Sequence, residues 1–191
     1  MSKLLNVALL SSLLLSGVTS LQAQSTKGVF LGIQYAGSSV SVESAANDLE
    51  FGGGFGLHAG LGLNDTFSVL ANFDRSVLTG SKSTDVKLTQ YDALLRMNLF
   101  PGASSPLRVF VTGGATARTA NSGRDFEGIA PTGGAGAHLF VTRKIAVNAS
   151  ALWTFGKLTQ AGQVTATQNG QFESTGTRVQ AGVSLYLLGG K

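Results

Sequence analysis

From residue 27 onward apolar and polar positions alternate along the chain. In Glu50–Leu63, Phe51, Gly53, Phe55, Leu57, Ala59, Leu61 and Leu63 fall on one side, and Gly52, Gly54, Gly56, His58, Gly60 and Gly62 on the other. A period of two is that of a β-strand, whose successive side chains point to opposite faces. Seven further stretches obey the same rule: Lys27–Val42, Thr66–Val77, Asp85–Phe100, Leu107–Thr119, Gly128–Val141, Ile145–Leu158 and Ser174–Leu187. The pattern therefore predicts eight strands. Asn64-Asp65, Pro101–Pro106 and Thr142–Lys144 read as short turns, and Glu43–Leu49, Leu78–Thr84, Ala120–Glu127 and Thr159–Glu173 as longer polar loops. Pro131 falls inside the sixth strand, where it cannot donate to a ladder, so a bulge or a rim position is expected there.

Alternation alone does not say which face is outside. The apolar face carries no charge over the centre of any strand, and Arg75, Lys87 and Lys157, which share its parity, stand at strand ends. The opposite face is mostly Gly, Ser, Thr, Ala and Asn, with a few charges and some bulky Leu and Phe. Water-exposed faces are rich in Lys, Glu and Asp, whereas small mixed residues suit the cramped lumen of an eight-stranded barrel. The chain is thus read as an all-β protein, an eight-stranded antiparallel transmembrane β-barrel with its apolar face towards lipid. A soluble ligand-binding barrel is the competing reading. Tyr35, Phe51, Phe73, Tyr91, Trp153 and Phe155 near one rim, with Phe67 and Phe100 near the other, fit two interfacial girdles.

Composition narrows the picture. The 191 residues suffice for one domain, and only 13% are charged. No basic run carries interleaved aromatics, which argues against nucleic-acid binding. There is no cysteine, hence no disulfide framework and no thiolate chemistry. Residues 1–23 look like a secretory signal peptide: Lys3, then the apolar Leu4–Val18, then Leu21-Gln22-Ala23 before a cleavage point. That leaves 24–191 as the barrel domain, and export with alternating short turns and long loops places both termini in the periplasm.

The polar face holds the candidate chemistry. Asp74, Asp92, Arg96, Arg108, Arg118 and Arg178 all point to the lumen. Asp74, Asp92, Arg96 and Arg108 lie on neighbouring strands and are expected to meet in pairs, because an unpaired charge in a narrow lumen is costly. Such a network either plugs the barrel or gates a narrow ionic path. Arg118 and Arg178 lie nearer the outer end, where water is within reach. His58 and His138 face inward from the second and sixth strands without an Asp or Glu in either run to complete a metal site, so both are expected as core groups hydrogen-bonded to neighbours. No cofactor is implied. Catalysis would need His with a nearby Ser and an acid at an accessible rim, and no such triad is visible. Gly54–Ala59 matches a nucleotide-loop string, but it alternates along a strand and no helix follows.

The signal segment, the eight alternating strands and glycine-rich runs such as Gly52-Gly53-Gly54-Phe55-Gly56 resemble the small outer-membrane β-barrel family, the opacity-like, OmpA/OmpX-type barrels of Gram-negative bacteria. The resemblance implies a place in the cell outer membrane, with outer-membrane lipids and the barrel assembly machinery as partners. It departs at the C-terminus, where Tyr186-Leu187-Leu188 is followed by Gly189-Gly190-Lys191 instead of a terminal aromatic residue. The role expected is structural and non-enzymatic: a membrane anchor displaying its loops to an extracellular ligand, Thr159–Glu173 foremost. A small pore for ions or solutes is the alternative.

Overall fold

The computed structural model describes residues 25–42, 49–79, 85–100, 105–121, 125–160 and 171–187. The signal segment 1–23, the C-terminal 188–191 and most of the expected loops lie outside the described residues. The strands are β1 (Gly28–Val42), β2 (Leu49–Gly62), β3 (Phe67–Thr79), β4 (Asp85–Asn98), β5 (Leu107–Asn121), β6 (Asp125–Phe140), β7 (Ile145–Gln160) and β8 (Gln171–Tyr186). Each pairs antiparallel with its chain neighbours, and β1 pairs with β8, so the sheet closes on itself.

Closure fixes the stagger. Pair by pair around the wall, Val29 leads to Leu61, Val69, Leu95, Gly113, Gly133, Trp153 and Thr177, and returns to β1 at Ser39, ten residues beyond its start. A stagger of that size tilts the strands by roughly 45° and leaves a lumen that side chains can fill.

Odd-numbered residues face outward on all eight strands, apart from the bulged end of β1, and the exposed apolar side chains form a continuous belt. Ile33 is 65%, Phe55 75% and Ile129 78% exposed, which only an apolar surrounding tolerates over so wide a surface. Tyr35, Phe51, Phe73, Tyr91, Trp153 and Phe155 all point outward, with Tyr35 edge-on to Phe55 at 5.5 Å and Phe73 beside Tyr91 at 5.2 Å.

Three expectations need correction. β5 and β6 run further than their polarity suggests, so Ala120–Glu127 is largely strand and only 122–124 connect them. Ladder hydrogen bonds extend these strands whatever their side chains, and the contrast of short turns and long loops is weaker than the pattern implied. Pro131 makes neither a bulge nor a rim: β6 and β7 pair at Glu127–Thr159 and resume at Thr132–Thr154 in the same register, with the ladder interrupted between. A missing N–H breaks hydrogen bonds without requiring an extra residue. The bulge instead lies in β1, between Ser38 and Val40 against β2.

Glycine marks two different kinds of place. A Cβ on inward-facing Gly54 would strike the Arg75 carbonyl and Ser76 Cα, which are backbone and cannot yield. A Cβ on outward-facing Gly113 would meet nothing closer than 4.0 Å. Gly54→Ala is therefore expected to cost about 1–3 kcal/mol or abolish refolding, while Gly113→Ala is tolerated. Denaturant titration of both variants in vesicles checks this. Outward Gly37 and Gly53 pair with each other, and the Phe51 ring and the Tyr35 hydroxyl lie over them.

Candidate functional site

The lumen is packed in three layers. At the end carrying connections 43–48, 80–84, 122–124 and 161–170, Val40, Leu78, Val86, Leu88 and Ala120 form a buried apolar cluster, with Phe126 against it. At the opposite end Phe30, Leu70, Leu94, Phe140, Ala146, Leu152 and Tyr186 form a second one. Polar residues fill the layer between.

That middle layer is organised by Arg178. One guanidinium nitrogen donates to Asp74 Oδ2 at 2.9 Å and to Gln90 Oε1 at 3.2 Å, and the other donates to Asp92 Oδ2. Both carboxylates are fully enclosed. Asp74 also accepts from Gln34 and Gln180, each at 2.8 Å, and Asp92 from Asn72 at 3.0 Å and Thr116 at 2.7 Å. The remaining lone pairs are thus satisfied, which a buried ion pair requires. The expected pairing of Asp74 and Asp92 with Arg96 and Arg108 does not form, because the partner reaches across from β8. Arg178 and Arg118 are only 3% and 1% exposed, so neither reaches water as expected. Arg118 donates to Ser174 Oγ at 2.9 Å.

From this centre hydrogen bonds tie every strand. Asn148 on β7 donates to Ser184 on β8, whose hydroxyl meets His58 Nε2 at 2.8 Å, and His58 Nδ1 lies 3.0 Å from Gln34 Oε1. Gln34 spends its amide N–H on Asp74, so its oxygen accepts and Nδ1 of His58 carries the proton. On the other side Thr116, Thr132 and Thr154 join hydroxyl to hydroxyl at 2.6 and 2.9 Å, carrying the chain through β5, β6 and β7. Gln34, Asn72, Gln90, Thr116, Gln180 and Ser184 share the inward parity but are not among the candidate residues the sequence singles out. Their only signal was an even position on an alternating strand.

Arg96 is held differently. Its guanidinium lies 4.2 Å from the Phe110 ring centroid and 5.7 Å from that of Phe30, a cation–π arrangement. Arg108 donates to the Phe100 carbonyl at 3.0 Å. His138 packs between Phe110 and Phe140, at 5.6 and 5.3 Å between ring centroids, and neither ring nitrogen has a hydrogen-bond partner among the described residues. The expectation of two hydrogen-bonded histidines therefore holds for His58 and fails for His138, because its neighbours are rings. Thr26 and Asn98 close this end, with Asn98 donating to Thr26 Oγ1 at 3.2 Å and to the Asp65 carbonyl at 2.8 Å.

Two catalytic or metal readings can be set against this geometry. Among the described residues no three His, Asp or Glu side chains gather as a metal site. Ser184, His58 and Gln34 do line up as nucleophile, base and orienting group, which sequence spacing gave no hint of. All three are nonetheless buried and engaged with neighbours, and Ser184 lines neither the outer-wall hollow beside Leu57 and Phe73, which His58 borders, nor the one beside Lys157 and Glu173. Chemistry needs access for a substrate beside the nucleophile, so the arrangement serves to tie β2 to β8.

Comparison with known proteins agrees with the architecture. Residues 8–185 match the family model described as outer membrane protein beta-barrel domain. The fold is similar to that of Neisserial surface protein A, with a TM-score of 0.68 at 17% identity, covering 84% of this chain and 98% of the other. It is similar to OprG of Pseudomonas aeruginosa, with a TM-score of 0.60 at 12% identity over 88% and 99% of the chains. It is also similar to Ail, the attachment invasion locus protein of Yersinia pestis, with a TM-score of 0.51 at 17% identity over 84% and 100%. No curated protein sequence matches the chain.

Proposed function

We propose, on the premise that this chain belongs to the outer membrane protein beta-barrel domain family, that it is a sealed, non-enzymatic anchor in the outer membrane that presents its loops at the cell surface. The observation that carries this reading is the lumen. An apolar layer at the loop end, an ion-pair layer whose two carboxylates are fully hydrogen-bonded and an aromatic layer follow one another, so an ion entering would have to break each in turn. Breaking a buried pair leaves an uncompensated charge, at about 3–5 kcal/mol.

The orientation proposed puts connections 43–48, 80–84, 122–124 and 161–170 outside and both termini in the periplasm. Outward-facing Arg75, Lys87, Lys157, Glu127 and Glu173 lie towards those connections, where charge costs little. Lys157 and Glu173 stand 3.9 Å apart there, both well exposed. Two of the similar structures are named as a surface protein and an attachment protein, and the surface role proposed here is of that kind.

Conductance tests the reading. The chain from residue 24, refolded into a planar bilayer, is expected to insert and remain silent. Discrete salt-dependent steps would overturn the sealed anchor in favour of a pore. The lumen would then favour anions, since Arg96, Arg108, Arg118 and Arg178 outnumber Asp74 and Asp92.

A further inference from the structure

Arg178 takes both lumen carboxylates, Asp74 and Asp92, and leaves other cations without them. Arg96 makes no ion pair among the described residues, and its buried Nε has no hydrogen-bond partner there. Its guanidinium is met by rings, with the Phe110 centroid at 4.2 Å and that of Phe30 at 5.7 Å. Ring faces offset part of the cost of taking a cation out of water, but they are not a counterion.

His138 supplies a second unmet group. It is 2% exposed, and neither ring nitrogen has a hydrogen-bond partner among the described residues. A neutral imidazole carries one N–H, so a buried donor goes unused in either tautomer. The ring packs against Phe110, the same residue that Arg96 covers. Arg108 stands directly opposite His138 across the β5–β6 ladder, on the same inward face. Cβ atoms so paired lie about 4.5–5.5 Å apart, and the charges of Arg96 and Arg108 both reach the imidazole. Arg96, Arg108 and His138 each lie within two residues of a strand end, at the barrel end opposite connections 43–48 and 161–170. Asp65, an acid at that end, is already engaged by the Ser25 hydroxyl and the Thr26 N–H. Arg96 keeps part of its surface accessible although it points inward, so open space adjoins it.

We propose that Arg96, His138 and Arg108 form a binding site for a small monovalent inorganic anion, a halide such as chloride, which enters from that end. The two guanidiniums supply the charge, and Arg96 Nε with the imidazole N–H supplies hydrogen bonds that are otherwise unmade. The surrounding rings of Phe30, Phe110 and Phe140 set the charge of the guest. An apolar wall returns none of the hydration an ion gives up, and that loss grows with the square of the charge, so sulfate and phosphate are rejected. The site lies on the far side of the Arg178 layer from the longer connections. It therefore stands whether or not the loops meet a partner, and whether or not the lumen conducts.

The chloride NMR line width tests it, measured on the chain from residue 24 refolded in a zwitterionic detergent. The folded barrel is expected to broaden the chloride line saturably. Bromide should reverse the broadening, and sulfate at the same ionic strength should not. Arg96→Gln should lose most of it. His138→Phe keeps a ring beside Phe110 and removes the N–H, so it should weaken binding about tenfold. This second variant carries the test if Arg96→Gln does not fold. Lys157→Gln, which removes an exposed cation elsewhere, should bind chloride as the parent does. At chloride about ten times its dissociation constant, the folded-to-unfolded ratio in urea should rise about tenfold over that in gluconate. A folded parent without saturable broadening, or equal broadening in the parent and in the folded Arg96 and His138 variants, would overturn the site. Displacement by sulfate as readily as by bromide would overturn the halide assignment.

Discussion

Arg178→Met is expected to destabilise the refolded barrel by about 3–5 kcal/mol, as removal of one partner from a buried ion pair does. Two carboxylates depend on this one guanidinium, and both are enclosed, with side-chain exposures of 0%. Their other partners, Gln34, Gln180, Asn72 and Thr116, are neutral donors that satisfy lone pairs without offsetting charge. The deletion therefore strands two like charges in one narrow layer. Urea titration in vesicles, read by tryptophan fluorescence from Trp153 and by gel mobility, measures the loss. The triple variant Asp74→Asn, Asp92→Asn, Arg178→Met removes all three charges and should recover most of it. A single variant as stable as the parent would show that the network contributes nothing to holding the lumen shut.

The second large effect is on the opposite face. Leu95→Arg should cost about 2–4 kcal/mol, because Leu95 is the middle residue of the outward apolar run Tyr91, Ala93, Leu95, Met97 and Leu99, and an arginine there must sit in hydrocarbon. Thr119→Arg, outward but at the loop-side end of β5 and paired with Glu127, should change stability by less than about 1 kcal/mol. The contrast separates membrane from soluble barrels. Were the outer face bathed in water, both arginines would be tolerated alike. Vesicle-based urea titrations of the two variants decide it.

Much of this molecule is legible in its amino-acid pattern. Eight strands, and the face on which Tyr35, Phe73, Tyr91 and Trp153 would lie, follow from a period of two that is visible within a few residues. Lumen positions of Asp74, Asp92, Arg96 and Arg108 came from the same parity. The ends of strands were less legible, since β5 and β6 carry polar residues out to Asn121 and back from Asp125 while still pairing. Pro131 misled because a proline absent from the ladder can leave the register intact as readily as shift it. His138 misled because its surroundings are rings from β5 and from its own strand, and neither offers an acceptor.

In and out are written into each strand. A transmembrane wall must be uniformly apolar on one side, so each strand declares its lipid face independently of every other. Which side chains meet inside is settled by the closed barrel. That depends on closure, in which a ten-residue stagger sets the height of each strand against those across the lumen. It brings Arg178 of β8 to Asp74 and Asp92, turns Arg96 onto Phe110 and Phe30, and sets Ser184 against His58. Such contacts span as many as 126 residues of chain. No local pattern encodes them, because the stagger is a property of all eight strands together.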